Sequence, residues 1–241
     1  MFLNVLVLFL LIIFTQQSRI IGGNDVTQFP FFTHIFWDNY SNRMCGGSVI
    51  SDKHVLTAGH CIPTDTSIQV FVALDYFQFT SVPELKQVEN IYVHPEFNQS
   101  DKNWADLAIL ELSTPIPKSV ESIQIKQTTR QELGTIIGYG SYSLTLKQIV
   151  LPIVSHRECY NYYFTHGIVI TKDLVCVQNG DFYSTPCKGD SGGPLLIQKK
   201  NKWYLYGVVS FGASECGRVP GYTVFTNAFF YKDWIYEVLG S

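Results

Sequence analysis

The stretch CKGDSGGPL, Cys187 to Leu195, sets one serine between an aspartate and a pair of glycines. A serine hydroxyl is a weak nucleophile at neutral pH. It needs a base to take its proton and donors to hold the oxyanion that its attack creates. Glycines suit that setting, because they let the backbone bend sharply and leave N–H groups unshielded where a carbonyl can reach them. The same string is also an ordinary turn composition, since Gly, Asp and Ser all favour turns. Alone it leaves both a nucleophile and a surface turn open, and the rest of the chain has to decide between them.

The base that such a serine requires is best supplied by histidine, whose reference pKa near ~6.5 suits proton transfer at neutral pH. Of the six histidines, His34, His54, His94, His156 and His166 sit in unremarkable or polar surroundings and read as solvated or packing residues. His60 stands in LTAGHC, where a strand-like run ends in small residues and the next residue is a cysteine able to pin the loop. An orienting carboxylate should be buried and lead into a strand. Asp106 in NWADLAILEL precedes an apolar run, where a carboxylate is costly unless paired; a plain strand-edge cap is the alternative reading.

The chain has 241 residues, 46% of them apolar and 15% charged, which describes a globular protein with one or two packed domains. Its 17 basic and 20 acidic residues form no long run of either sign, so nucleic acid is not an expected partner. The N-terminal MFLNVLVLFLLIIFTQQS has an apolar core from Val5 to Phe14, too short to cross a bilayer core of ~30 Å. Residues 1–18 read as a secretory signal peptide, with a retained anchor as the alternative, so a secreted, extracellular protein without membrane association is expected once the segment is removed. Cys45, Cys61, Cys159, Cys176, Cys187 and Cys216 make an even set behind that segment, which implies disulfides, although six cysteines allow fifteen pairings. None lies in a C-x-x-C pair, and no metal is expected. Asn39 and Asn98 open N-x-S/T sequons and are candidate glycosylation sites.

Short β-branched or alternating runs recur between turn residues: SIQVFVAL from Ser67, QVENIYV from Gln87, LAILEL from Leu107, GTIIGYG from Gly134, KQIVLPIV from Lys147 and YLYGVVSF from Tyr204. Strands at this spacing favour an antiparallel sandwich or barrel. SHRECYNYYF is a short helix candidate. AFFYKDWIYEVLG near the C-terminus places Phe230, Trp234 and Val238 four residues apart, an amphipathic helix pattern. STPIPKSVES, Ser113 to Ser122, has no periodicity and is a candidate connection between two halves.

LTAGHC, DLAILEL and CKGDSGGPL in that order, together with RIIGG near the expected mature start and SFG at Ser210 to Gly212, resemble the chymotrypsin-like (trypsin-fold) serine endopeptidases. The resemblance covers nearly all of Ile20 to Ser241. It implies an all-β fold of two antiparallel six-stranded β-barrels with a C-terminal α-helix, the first barrel about 20–120 and the second, with the helix, about 121–241. It implies a triad of His60, Asp106 and Ser191, an oxyanion hole from the Gly189 and Ser191 N–H groups, and a hydrogen bond from Ser210 to Asp106. Ser210, Phe211 and Gly212 would pair with substrate. The implied disulfides are Cys45 to Cys61, Cys159 to Cys176 and Cys187 to Cys216. Asp190 resembles the carboxylate that pairs with a new α-amine at Ile20, released by cleavage after Arg19, so residue 19 would be a minimal activation propeptide. Polypeptide substrates, an activating protease and protein inhibitors are the implied partners. No cofactor is implied, and a monomer is expected. A catalytically inactive homologue that serves as a binding protein is the alternative.

The chain departs from the family pattern at the pocket. Thr185 stands where arginine and lysine cutters carry an aspartate, so a guanidinium there would lack a countercharge. Thr223 falls at a wall position where many members have glycine, if Val224, Phe225 and Thr226 align with the family strand; aligning Pro220-Gly221 instead would leave Gly221 there and an open pocket. The first alignment implies small or medium apolar residues on the acyl side of the cut, as in elastases, with chymotrypsin-like cleavage as the second choice. Lys188 is expected at the cleft rim. Ala58-Gly59 replaces a common Ala-Ala, and Tyr139 replaces a frequent Trp.

Overall fold

The computed structural model describes residues 23–26, 29–37, 44–74, 84–98, 105–128, 132–139, 145–179, 185–187, 189–212 and 221–240. The signal segment 1–18, Arg19, Ile20, Asn39, Lys188 and Cys216 therefore lie outside the described residues.

Six strands of the N-terminal half, β2 (Phe32–Trp37), β3 (Met44–Val49), β4 (His54–Thr57), β5 (Val70–Leu74), β6 (Glu84–Val93) and β7 (Ala108–Leu112), close into an antiparallel barrel in the order β2-β3-β4-β7-β6-β5. Closure is made by β2 against β5, with Ile35 opposite Val72. Ile35, Val55, Leu56, Val72, Ile109 and Leu110 are essentially unexposed; because successive strand residues point to opposite faces, the cross-strand pairs Val55–Leu110 and Leu56–Ile109 lie on different faces, so the barrel wall is buried on both sides here.

The second sheet contains β1 (Asn24–Asp25), β8 (Leu133–Gly138), β9 (Lys147–Pro152), β10 (Leu174–Gln178), β11 (Pro194–Lys199), β12 (Lys202–Phe211) and β13 (Tyr222–Asn227), in the order β1-β9-β8-β11-β12-β13-β10. Ile153, one residue past β9, bridges Val177 of β10, so β8 to β13 curl round until the two ends meet. The seventh strand comes from near the N-terminal end of the described residues. Asn24 and Asp25 pair with Gln148 and Lys147 of the second sheet rather than with the first barrel. The Lys147 ammonium on Asp25 at 2.7 Å, with the Thr145 hydroxyl at 2.8 Å on the same oxygen, holds this crossing and lowers the Asp25 carboxyl below its usual range.

SHRECYNYYF does form a helix, α1 (His156–Phe164), capped by the Ser155 hydroxyl accepting from the Glu158 amide and burying Cys159 and Tyr163. The C-terminal helix α2 (Lys232–Leu239) ends at Gly240, whose φ of 70° fits the left-handed cap. Its buried face differs from the stripe expected. Phe230 precedes the helix and is 56% exposed, whereas Ile235 is wholly buried, flanked by half-buried Trp234 and Val238. The helix begins four residues after the start of the stretch read as helical, which leaves Phe230 outside it, while Trp234 and Val238 stay against the core. Core packing is continuous between the halves, since Ile137, Tyr139, Leu196, Leu205 and Val208 join the apolar cluster of the first barrel. That shared seam fixes how the two barrels face each other across the site.

Candidate active site

His60 sits in a 3-10 turn, Gly59–Cys61, that follows β4 directly. The disulfide Cys45–Cys61 ties this turn to β3. Next along β3, the Gly46 amide donates to the Ser191 carbonyl at 2.7 Å. One covalent cross-link and one hydrogen bond thus join the turn carrying His60 to the segment carrying Ser191, which belong to different barrels. The Thr57 hydroxyl donates to the Gly46 carbonyl at 2.8 Å and steadies the same junction.

Asp106 precedes β7 and is 2% exposed. One carboxylate oxygen accepts the His60 amide at 2.9 Å, and the other lies 2.7 Å from His60 Nδ1. With the proton on Nδ1 in that bond, the ring presents a lone pair at Nε2, the state a general base needs. The Ser210 hydroxyl donates to the same carboxylate oxygen at 2.5 Å. A bulge explains how a strand residue reaches it. Val209 pairs with Phe225 and Phe211 with Val224, which leaves Ser210 as the extra residue of β12 and turns its side chain toward Asp106.

Ser191 is half-buried and lies in a tight turn between Asp190 and Pro194. Gly189 and Gly192 have φ of 96° and 77°. At Gly192 a Cβ would stand 2.5 Å from the Gly46 carbonyl and against the Thr57 hydroxyl, so no larger residue fits beside the serine. The turn is tied down by Gly193 N–H to the Asp190 carbonyl at 3.0 Å and Gly192 N–H to the Val209 carbonyl at 2.9 Å. Among the described residues the Gly189 and Ser191 N–H groups have no acceptor, and the Ser191 hydroxyl forms no hydrogen bond to the imidazole.

Asp190 is 1% exposed; it accepts the Cys187 amide at 2.8 Å and presses against Gly138, where a Cβ would collide with it. Cys159 and Cys176 are bonded, and Cys187 is in a disulfide, while the partner read for it, Cys216, lies outside the described residues. Cys45, Cys61 and His60 come within metal-ligating distance of one another, but both sulfurs are consumed by the disulfide, which leaves one imidazole and no site.

Of the residues expected to line the pocket, Thr223 faces Gly212, its hydroxyl 3.3 Å from where a Gly212 Cβ would be. Gly221 instead precedes β13 and accepts the Asn179 amide at 2.9 Å. The Thr223 hydroxyl donates to Asn179 Oδ1 at 2.8 Å, and the Thr185 hydroxyl to the Pro186 carbonyl at 2.9 Å. Both are buried. Phe211 packs edge-on against Tyr163, 5.6 Å between centroids. Asn98 is exposed. Sequence reading missed Gly46, Asn179 and Thr226, whose hydroxyl donates to the Asp106 carbonyl at 3.3 Å. The glycine pair after Cys45 was a usable signal for the first; nothing local marks the other two. The Gly59 departure has a structural cause: a Cβ there would lie 2.7 Å from the Phe97 ring, so the missing methyl admits the phenylalanine.

The trypsin family model matches residues 20–235. Chymotrypsin-C of Rattus norvegicus is 33% identical over 246 residues, covering 92% of this chain and 89% of the relative. Chymotrypsin-C of Mus musculus is 32% identical with the same coverage. The CLIP domain-containing serine protease B4 of Anopheles gambiae is 31% identical over 255 residues, covering 90% of this chain and 69% of that protein. With this match and a barrel pair of the trypsin fold, the chain belongs to the trypsin family of serine endopeptidases.

Proposed function

We propose that the chain is a secreted endopeptidase in which Ser191 attacks a peptide carbonyl, His60 takes its proton and then protonates the leaving amine, and Asp106 fixes the imidazole and stabilises its cation. The acyl group rests on Ser191 until water, deprotonated by the same ring, releases it. The Gly189 and Ser191 N–H groups hold the oxyanion, each donor lowering the barrier by roughly 3 kcal/mol. The observation that carries this reading is the buried Asp106 carboxylate 2.7 Å from His60 Nδ1.

The pocket takes small or medium apolar residues. Thr223 narrows the wall opposite Gly212, and the hydroxyls of Thr223 and Thr185 are already engaged with Asn179 and Pro186, so they offer no countercharge and little polarity to a basic side chain. Cleavage after Arg19 frees the Ile20 amine to pair with buried Asp190 and thereby orders the Gly189–Ser191 segment. An activating protease and protein inhibitors are its partners besides substrate. Among the described residues no helix is long and apolar enough to cross a membrane; secretion rests on residues 1–18 and the disulfides.

The test is fluorophosphonate labelling of the chain before and after cleavage at Arg19, followed by a peptide panel varied at the residue before the cut. Labelling at Ser191 only after cleavage, with turnover best after Ala, Val or Leu, is expected. An activated chain that does not label overturns the triad, and strong turnover after Arg or Lys overturns the pocket assignment.

A further inference from the structure

Tyr206 lies in the middle of β12 and is 8% exposed, yet its hydroxyl has no hydrogen-bond partner among the described residues. A buried phenol ordinarily finds one. Here the residue lines a cavity of about 190 Å³ between the start of α1 and strands β10, β12 and β13. The cavity reaches the surface beside His156 and Lys172, both exposed. Two links keep the gap open at a fixed width. The disulfide Cys159–Cys176 ties α1 to β10, and the Val154 amide donates to the Cys176 carbonyl at 3.0 Å. Ile153, Val154, Leu174 and Val175 supply apolar walls.

The polar groups of the lining are donors. Burial, then the charge of Glu132, holds the Tyr206 phenol above its usual range, so it keeps its proton. Asn227 ends β13, and its Oδ1 already accepts the Phe229 and Phe230 amides at 3.0 and 3.2 Å. That leaves Nδ2 as the group it can still offer. Lys172 and His156 have no anionic partner among the described residues. The neighbouring carboxylates line no part of the cavity and are engaged elsewhere: Asp173 by the Tyr231 hydroxyl at 2.8 Å, Glu158 by the Tyr222 hydroxyl at 3.0 Å and Glu132 by Lys199 at 3.5 Å. Unmatched donors and cations call for an anion, and the walls call for a hydrocarbon body. An apolar cavity of ~150 Å³ holds one benzene ring, so this one has room for a ring or branched alkyl group with a carboxylate.

We propose that the cavity is a binding site for a carboxylate that carries one ring or branched alkyl group, presented by a small free acid or by the C-terminal residue of a peptide. Tyr206 and Asn227 donate to the carboxylate, Lys172 and His156 offset its charge, and the apolar group packs on the walls. The site is separate from the proposed triad and shares no residue with it or with the substrate pocket. Along β12, Tyr206 stands four residues before Ser210, roughly 13 Å at ~3.3 Å per residue.

The experiment is an amide chemical-shift titration of the full chain carrying Ser191→Ala, which removes hydrolysis and makes the outcome independent of the triad. Phenylacetate is expected to shift the Val154, Leu174, Cys176 and Asn227 amides and to saturate with a Kd of ~0.1–3 mM, the range open to about ten non-hydrogen atoms. Phenylacetamide, without the charge, and acetate, without the ring, should each bind at least ~5-fold more weakly. Tyr206→Phe should weaken phenylacetate ~3- to ~10-fold and leave the unfolding midpoint of the free chain unlowered, since the hydroxyl there has no partner to lose. Lys172→Gln, at the surface, should weaken it by a similar factor, as should ~0.5 M sodium chloride on the parent chain. N-acetyl-Ala-Phe assigns the source: tighter binding than phenylacetate, lost when its C-terminus is amidated, marks a peptide terminus, and weaker binding marks a free acid. No saturable shift, shifts confined to the residues around position 191, equal affinity for acid and amide, or a Kd unmoved by both Tyr206→Phe and Lys172→Gln overturns the proposal.

Discussion

Acidification should destabilise this protein through one histidine outside the proposed triad. His34 of β2 is 1% exposed, with its ring among Phe32 at 5.2 Å, Phe36 at 5.8 Å and Tyr139 at 4.4 Å. Burial pushes its imidazole down to about 3. An unfolded chain holds the same ring in water, where it titrates near ~6.5. Between those values the unfolded state binds the extra proton, so stability is full above ~6.5, falls as the pH drops through that value, and stops falling near 3 when the folded ring also protonates. At ~1.4 kcal/mol per pKa unit, His34 alone should remove ~2 kcal/mol on going from pH 7 to pH 5, and ~3 kcal/mol by pH 4. The assay is urea unfolding with disulfides intact, in a Ser191→Ala background that prevents self-digestion, for the chain with His34 and for His34→Leu. Other groups titrate alike in both, so the difference between the two stability–pH curves isolates the ring. His34→Leu should be flatter by ~2 kcal/mol between pH 7 and 5; parallel curves would refute the assignment of a neutral, desolvated imidazole.

Ser210→Ala removes one of the donors on the Asp106 carboxylate, a charge-assisted bond worth ~1.5–3 kcal/mol, and should cut kcat roughly 10-fold or more with little change in KM, read by steady-state kinetics. Thr223→Gly should widen the pocket and raise kcat/KM for Phe over Val substrates by roughly 10-fold, whereas Thr223→Val, which loses only the bond to Asn179, should keep the original order of preference on the same peptide panel. Gly59→Ala should cost ~1–3 kcal/mol, measured as a lowered unfolding midpoint, because its methyl meets the Phe97 ring; Phe97→Leu in the same chain should restore most of the loss.

Much of the chemistry was legible without coordinates because it is written in backbone-local patterns. CKGDSGGPL needs glycines on both sides of its serine, LTAGHC needs a cysteine beside its histidine, and an aspartate leading into a largely apolar strand needs a partner. Each constraint falls within a few residues and survives as a string. The strand runs of the barrels were legible for the same reason, since alternation is a local property. The termini of elements were less so. Asn24–Asp25 is too short to show a period, and its place in the second sheet is decided by Lys147 and Thr145, more than a hundred residues away.

What only the tertiary structure decided is the support around the chemistry. Tyr231 reaches Asp173 across 58 residues, Thr226 reaches Asp106 across 120, and Thr223 reaches Asn179 across 44. None of these pairs has a local signature, because a tyrosine, threonine or asparagine in a strand or turn is compatible with either solvent or core. Closing the barrels removes water from those sites, and a buried polar group must then find its partner inside the protein. The left-handed Ala105 belongs to the same class: alanine carries no preference for that conformation, and only the packed groups around it impose one. Ser191, His60 and Asp106, the proposed triad, were therefore singled out by sequence, while the contacts that support them join two barrels that no stretch of sequence describes.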